Sequence, residues 1–193
     1  MAIARYLSHA QVEMDPDVPV PQWGLNTIGQ ARIALLAASN ALAGTQVIYS
    51  STETKAVETA APLAKALSCP HHKVPEMGEN DRSATGFLPG PAFEAAADAF
   101  FAHPDDSYQG WETARDAQKR IVAAVHAALA NHPDQDILFV GHGAVGTLLY
   151  CALMDAAIDR RHDQPDGGGN IYSFDTDTRR PDGPWQPLET LLA

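Results

Sequence analysis

Cysteine is nearly absent, with only Cys69 and Cys151 in 193 residues. The two fall in different predicted elements, so they offer neither a disulfide framework nor a zinc set, and buried reduced thiols are expected. Basic residues are also scarce, 13 Lys and Arg against 24 Asp and Glu, for a formal net charge of −11. A general nucleic-acid binder needs a basic surface to displace counterions, so nucleic acid is excluded as a partner. A local cationic pocket inside an acidic protein is not. No apolar run reaches membrane-spanning length, so no membrane partner is expected. The start, Met1 to Tyr6, passes directly into a strand-like run and lacks the long apolar region of a signal peptide. A cytoplasmic location is the expectation. There is no G-x-S-x-G elbow of a serine hydrolase, and no metal-ligand spacing.

What is present is an alternation of short apolar runs and longer helix-forming segments. Hydrophobic residues make up 45% of the chain, which suits one globular domain spanning residues 1–193. Strands are predicted at Ile3–Leu7, Gln46–Ser50, Ile137–Val140 and Ile171–Phe174, with a weaker one at His71–Val74. Thr27 followed by Gln30 reads as a capping box that opens a helix running through Ala31–Ala43 to Gly44. Ser51 or Thr52 is expected to cap a helix ending near Leu67. Further helices are expected at about Pro91–Ala102, Trp111–Asn131 and Gly143–Ala157. Pro75–Pro91 has no periodicity and reads as a long functional loop. The Pro-rich tail, about 181–193, is expected to be surface-tethered or frayed.

Strands alternating with helices imply an α/β fold: a three-layer αβα arrangement with a mostly parallel sheet. Such sheets bind ligands at the carboxyl ends of their strands. His9, Ser50-Ser51 and His142 all stand just past predicted strands. Either histidine alone reads as an ordinary core or surface residue; their matched placement points to convergence in one pocket. The run Gly141-His142-Gly143-Ala144-Val145-Gly146 also spells G-x-G-x-x-G between strand and helix. A dinucleotide site would need a second βαβ half and an acidic residue at the next strand end, and neither follows. The feature common to both readings is a glycine-lined helix N-terminus, which attracts anions.

Four blocks carry a resemblance. They are Tyr6-Leu7-Ser8-His9-Ala10-Gln11, Trp23 to Ala31, Val47-Ile48-Tyr49-Ser50-Ser51 with Lys55 and Thr59-Ala60, and Val140-Gly141-His142-Gly143. In this order and spacing the chain resembles the histidine phosphatase superfamily, with a phosphoglycerate mutase-like fold. The resemblance implies phosphoryl transfer through a phosphohistidine, with His9 as nucleophile and His142 contacting the phosphoryl oxygens. It implies no cofactor and no metal. A neutral imidazole is a competent nucleophile near neutral pH. The expected partner is a small phosphorylated substrate or a phosphoprotein, and no oligomeric state is implied.

The departures are specific. Ser8 stands where the family has arginine before the nucleophile, Ala10 where it has glycine, and Lys55 where it has a second arginine. Lys55 keeps charge without bidentate geometry, and Ser8 keeps a hydroxyl. Loss of one well-placed oxyanion donor costs roughly 3–4 kcal/mol in comparable sites. Hence the expectations are a phosphomonoesterase of weakened or specialised activity, or a phosphate-binding protein without turnover. A mutase would need more basic residues for the substrate's second anion. Ser8, Lys55, Arg82 and Gln11 are the candidate phosphate ligands, with Arg82 able to replace a missing arginine. Glu79 is the candidate general acid, with Asp81 second. The bland alternatives are a solvated loop for Glu79 and Arg82, an exposed helix lysine for Lys55 and a solvent-facing Gln11. Similarly, His71-His72 reads as exposed loop, Arg115 and Arg120 as solvated helix residues, and Gly167-Gly168-Gly169-Asn170 as a strand-entry turn at the pocket edge.

Overall fold

The computed structural model describes residues 2–192. Six strands form one mixed sheet: β1 (Ile3–Ser8), β2 (Val47–Ser50), β3 (His71–Lys73), β4 (Ile137–Gly141), β5 (Asn170–Asp175) and β6 (Gln186–Pro187), in the order β3-β2-β4-β1-β5-β6. The β2–β3, β2–β4 and β1–β4 pairs are parallel, while β5 pairs antiparallel with both β1 and β6. The helices are α1 (Thr27–Ala38), α2 (Thr54–Leu67), α3 (Gly90–Ala102), α4 (Ala114–Asn131) and α5 (Gly143–Leu153). The expected α/β architecture is the one observed.

Strand alternation sends neighbouring side chains to opposite faces, and both faces are covered. On β4, Ile137 and Phe139 join a core with residues of α3, α4 and α5, whereas Leu138 and Val140 join a second core with residues of α1 and α2. Tyr6 and Leu7 divide in the same way. The central strands are therefore apolar throughout, and their carboxyl ends are left as the polar opening of the fold.

Several local expectations are corrected. The N-cap of α1 is Asn26, whose side chain accepts from the Gly29 N–H; Thr27 is already helical and Gln30 donates to the Leu25 carbonyl instead of closing a capping box. That helix ends at Ala38, where the Ser39 hydroxyl donates to the Leu36 carbonyl and the chain turns. Neither Ser51 nor Thr52 occupies the N-cap position of α2, which is Glu53. The fifth helix ends at Leu153, short of Ala157. Of the two expectations for the tail, tethered and frayed, the tethered one holds through residue 192. Trp185 and Leu188 are buried, with Trp185 edge-on to Tyr6 and Tyr172 at ring separations of 5.8 and 4.6 Å. Cys151 is buried and Cys69 half-buried, both without a disulfide partner.

Candidate active site

The register of β1 on β4 pairs Ser8 with Gly141, so His9 and His142 leave the sheet side by side. The His9 N–H donates to the Gly141 carbonyl at 2.8 Å, and the two imidazole rings lie 5.3 Å apart at 69°. His9 Nδ1 is 2.8 Å from the Ala10 carbonyl. A carbonyl only accepts, so Nδ1 carries the proton and Nε2 keeps its lone pair. Burial lowers the His9 pKa to about 4, with the Lys55 and Arg82 charges adding to the effect and the Ala10 hydrogen bond opposing it. At neutral pH the ring is thus uncharged and presents Nε2 as a nucleophile.

His142 is fully buried. Tyr6 fixes its backbone, its hydroxyl accepting from the His142 N–H at 3.1 Å and donating to the carbonyl at 3.3 Å. The ring Nε2 lies 2.7 Å from Ser51 Oγ and 3.4 Å from Glu53 Oε1, whereas Nδ1 has no partner among the described residues. Burial pushes this histidine well below 6.5, so it too is neutral. Gly141 and Gly146 are needed for Tyr6: a Cβ at either would come within 2.5 Å of its ring or hydroxyl. At Gly143 a Cβ would come within 2.3 Å of Gln164 Nε2. The glycine run thus serves side-chain packing around the two histidines.

The candidate phosphate ligands separate into two groups. Lys55 is buried, and its ammonium is bound by Glu53 Oε2 at 2.6 Å and the Val20 carbonyl at 2.8 Å. Ser8 is buried with its hydroxyl 2.5 Å from Gln164 Oε1, while also accepting from the Asn170 N–H at 3.0 Å. Gln11 accepts from Arg32, whose remaining hydrogens go to Gly168, Gly169 and Glu189. Lys55 and Ser8 give their donors to protein partners, whereas Gln11 is held through its amide oxygen alone. Arg82 is different. Its guanidinium lies 4.9 Å from the centre of the Phe93 ring and, among the described residues, enters no hydrogen bond or ion pair. It lines a cavity of about 250 Å³ together with His9, Glu79, Asn80, Gly143 and Gln164. Gly167 edges the same cavity, and the Gly169 N–H donates to the His9 carbonyl at 2.8 Å, so the glycine turn buttresses His9.

Glu79 and Asp81 also part company. Glu79 Oε1 accepts from the Val145 N–H in the first turn of α5 at 3.1 Å. Burial raises its carboxyl above the ordinary value, outweighing the nearby Arg82 charge. Asp81 is exposed, and hydrogen bonds from Ser83 hold its carboxyl below the usual range. Of the two, Glu79 has the environment of a proton donor.

Three participants were not singled out in the sequence. Glu53 touches Lys55, His142 and, at 2.8 Å, the Glu79 N–H. Burial alone would raise its carboxyl, but the charges of His142 and Lys55 and the hydrogen bonds hold it at about 2. Because His142 is itself pushed toward neutrality, the Lys55 ammonium is the charge that keeps Glu53 ionised. Arg120, expected on a solvated face, is half-buried in a two-pronged pair with Glu112 and donates to the carbonyls of Glu76, Gly78 and Glu79. It clamps the loop that carries the acid. Asn80 is buried with its side-chain nitrogen unpartnered at the cavity wall. Only the spacing of Glu112 and Arg120, two turns apart around the start of one helix, hinted at any of this. His71 lies in β3, where the weaker strand is expected, and is half-buried with its ring nitrogen 2.7 Å from Ser50 Oγ, not in an exposed loop.

The fold agrees with the comparisons. YhfR of Bacillus stearothermophilus superposes with a TM-score of 0.79 at 20% identity, covering 97% of this chain and 95% of that one. A mycobacterial glucosyl-3-phosphoglycerate phosphatase gives 0.75 at 19% identity over 96% of each chain. A phosphoserine phosphatase from Entamoeba histolytica, in complex with 3-phosphoglyceric acid, gives 0.68 at 16% identity over 94% of each. No curated protein matches in sequence. The family model of the histidine phosphatase superfamily (branch 1) matches residues 8–182, a span that includes His9, Glu79 and His142, and the chain belongs to that superfamily.

Proposed function

We propose that the protein is a phosphomonoesterase working through a phosphohistidine on His9. The reading is carried by one observation: His9 is neutral, tied through Nδ1 to the Ala10 carbonyl, and exposes Nε2 to a cavity that also holds a raised carboxyl and an uncommitted guanidinium. In the first step Nε2 attacks phosphorus, the ester P–O bond breaks, and Glu79 gives its proton to the leaving oxygen. In the second, water attacks the phosphoryl group, its proton passes to Glu79, and the P–N electron pair returns to His9. Inorganic phosphate leaves and both groups are restored.

Positive charge for the phosphoryl oxygens comes chiefly from Arg82, whose planar fork suits two oxygens at once. His142 adds a donor if Ser51 gives its hydroxyl hydrogen to Nε2, leaving the proton on the unpartnered Nδ1. Lys55 contributes at longer range, its charge opposed by Glu53. Fixed donors of this kind stabilise charge without reorganising during reaction. The expected partner is accordingly a small phosphate ester or a phosphoprotein met in the cytoplasm.

A second reading, phosphate-ligand binding without turnover, is favoured by the commitment of Ser8 and Lys55 to protein partners. Steady-state hydrolysis of p-nitrophenyl phosphate separates the two. A phosphatase shows turnover lost in His9→Ala, lowered in Glu79→Gln, and weakened about a hundredfold or more in Arg82→Ala, the scale for one oxyanion donor. Binding of inorganic phosphate with no hydrolysis by the unaltered protein would favour the binder.

A further inference from the structure

Beside the phosphate cavity lies a second, apolar one of about 330 Å³, within the range of small-molecule sites, roughly 300–1,000 Å³. Val20, Trp23, Phe87, Leu88, Phe93 and Trp111 form most of its wall, and Arg82 is its sole charged side chain. Both indole N–H groups are satisfied elsewhere, Trp23 by the carbonyls of Asp15 and Val18, Trp111 by the Thr85 hydroxyl. What the rings offer a guest is therefore hydrocarbon and aromatic face. Arg82, Phe93 and Trp111 line both cavities, so the two share a wall.

We propose that this apolar cavity receives the leaving group, and that the substrates are phosphomonoesters of aromatic or bulky apolar alcohols. The inference rests on the phosphatase reading for the word substrate, but not for the binding preference. Arg82, Phe93 and Trp111 stand between His9 and Glu79 on one side and Phe87 and Leu88 on the other, so an ester group too large for the phosphate cavity passes them into the apolar one. A polyol would bury hydroxyls here without partners, at a cost an aryl group does not meet. A leaving group with its own negative charge is disfavoured on the other side too. The neighbouring cleft, about 680 Å³, is lined by Asp17, Glu53, Glu79 and Asp81, with Arg82 again its sole basic residue. Trp23 stands edge-on to Phe87 at 5.6 Å, an arrangement that can open to accept a third ring.

The test uses two phosphonates that cannot be hydrolysed, benzylphosphonate and methylphosphonate, titrated into the unaltered protein. Trp23 and Trp111, two of the three tryptophans, report through their fluorescence. The benzyl compound is expected to bind at least about tenfold more tightly, and Phe87→Ala, at a side chain 37% exposed, to reduce that ratio toward one. The ratio of kcat/KM for benzyl phosphate over glycerol phosphate should follow the same order. Equal affinity for the two phosphonates overturns the proposal, whatever the turnover. Tighter benzyl binding with no turnover of any phosphomonoester supports the cavity's role as an aryl site and overturns the phosphatase reading instead.

Discussion

Glu53 Oε2 lies 2.6 Å from Lys55 Nζ, so the buried lysine is neutralised by a residue two places before it. The carboxylate is nearly buried and ionised, so it opposes any dianion brought to His9. Glu53→Gln should therefore tighten inorganic phosphate binding by roughly tenfold, the equivalent of about one pKa unit of interaction. Isothermal titration at pH 7 measures this, and unchanged or weaker binding would show that Lys55 is not the cation being restrained.

The pH dependence has a definite sign. His9 must be neutral and is neutral above about pH 4, because burial lowers its pKa. Glu79 must be protonated and is so up to a value above its ordinary 4.5, because burial raises it. The profile of kcat/KM should then rise through about pH 4 and fall as Glu79 loses its proton, above the ordinary carboxyl range. Replacement by Gln at position 79 should remove the falling limb while lowering the maximum. A profile with no falling limb would contradict Glu79 as the acid, and a rising limb near neutrality would contradict the low His9 value.

Simple restoration of the family motif should fail. Ser8 is buried against Gln164 and Asn170, and Gln164 is itself packed on Gly143. An arginine at position 8 has nowhere to extend while Gln164 is present. Ser8→Arg should lose at least about 1–3 kcal/mol of stability through overpacking without gaining activity. Ser8→Arg with Gln164→Gly should recover the melting temperature and raise p-nitrophenyl phosphate turnover. Full activity in Ser8→Arg alone would show that the pocket is roomier than its packing indicates.

Arg120 acts through the acid loop and not on the substrate. Its five hydrogens are shared between Glu112 and the carbonyls of Glu76, Gly78 and Glu79. Arg120→Lys keeps a charge but cannot span these acceptors. It should lower kcat by tenfold or more, leave KM within about threefold, and shift the falling limb of the pH profile. A change in KM alone would place Arg120 among the substrate contacts.

Much of the architecture was legible because the strands are short, apolar and bounded, and because β4 and β1 place His142 and His9 at equivalent ends. Helix limits were less so: Asn26 competes with Thr27 as a cap, and only the backbone geometry decides. The site was half legible. His9 and His142 follow from their places past two strands and Glu79 from the family resemblance, but what Ser8, Gln11 and Lys55 touch depends on Gln164, Arg32 and Glu53, which join them only after folding. Arg120 shows the same limit, since a helix surface says nothing of the loop laid over it. The apolar cavity joins Trp23, Phe87 and Trp111 from three separate segments, which no local pattern connects.

His9 is the proposed nucleophile that carries the phosphoryl group. Incubating the protein with a radiolabelled phosphomonoester and quenching within the first turnover tests this directly. The expected result is a label on the protein that survives alkali, is lost in acid, maps to the peptide containing His9 and is absent from His9→Ala. Hydrolysis that proceeds undiminished in His9→Ala, or a label that maps to another residue, would contradict it.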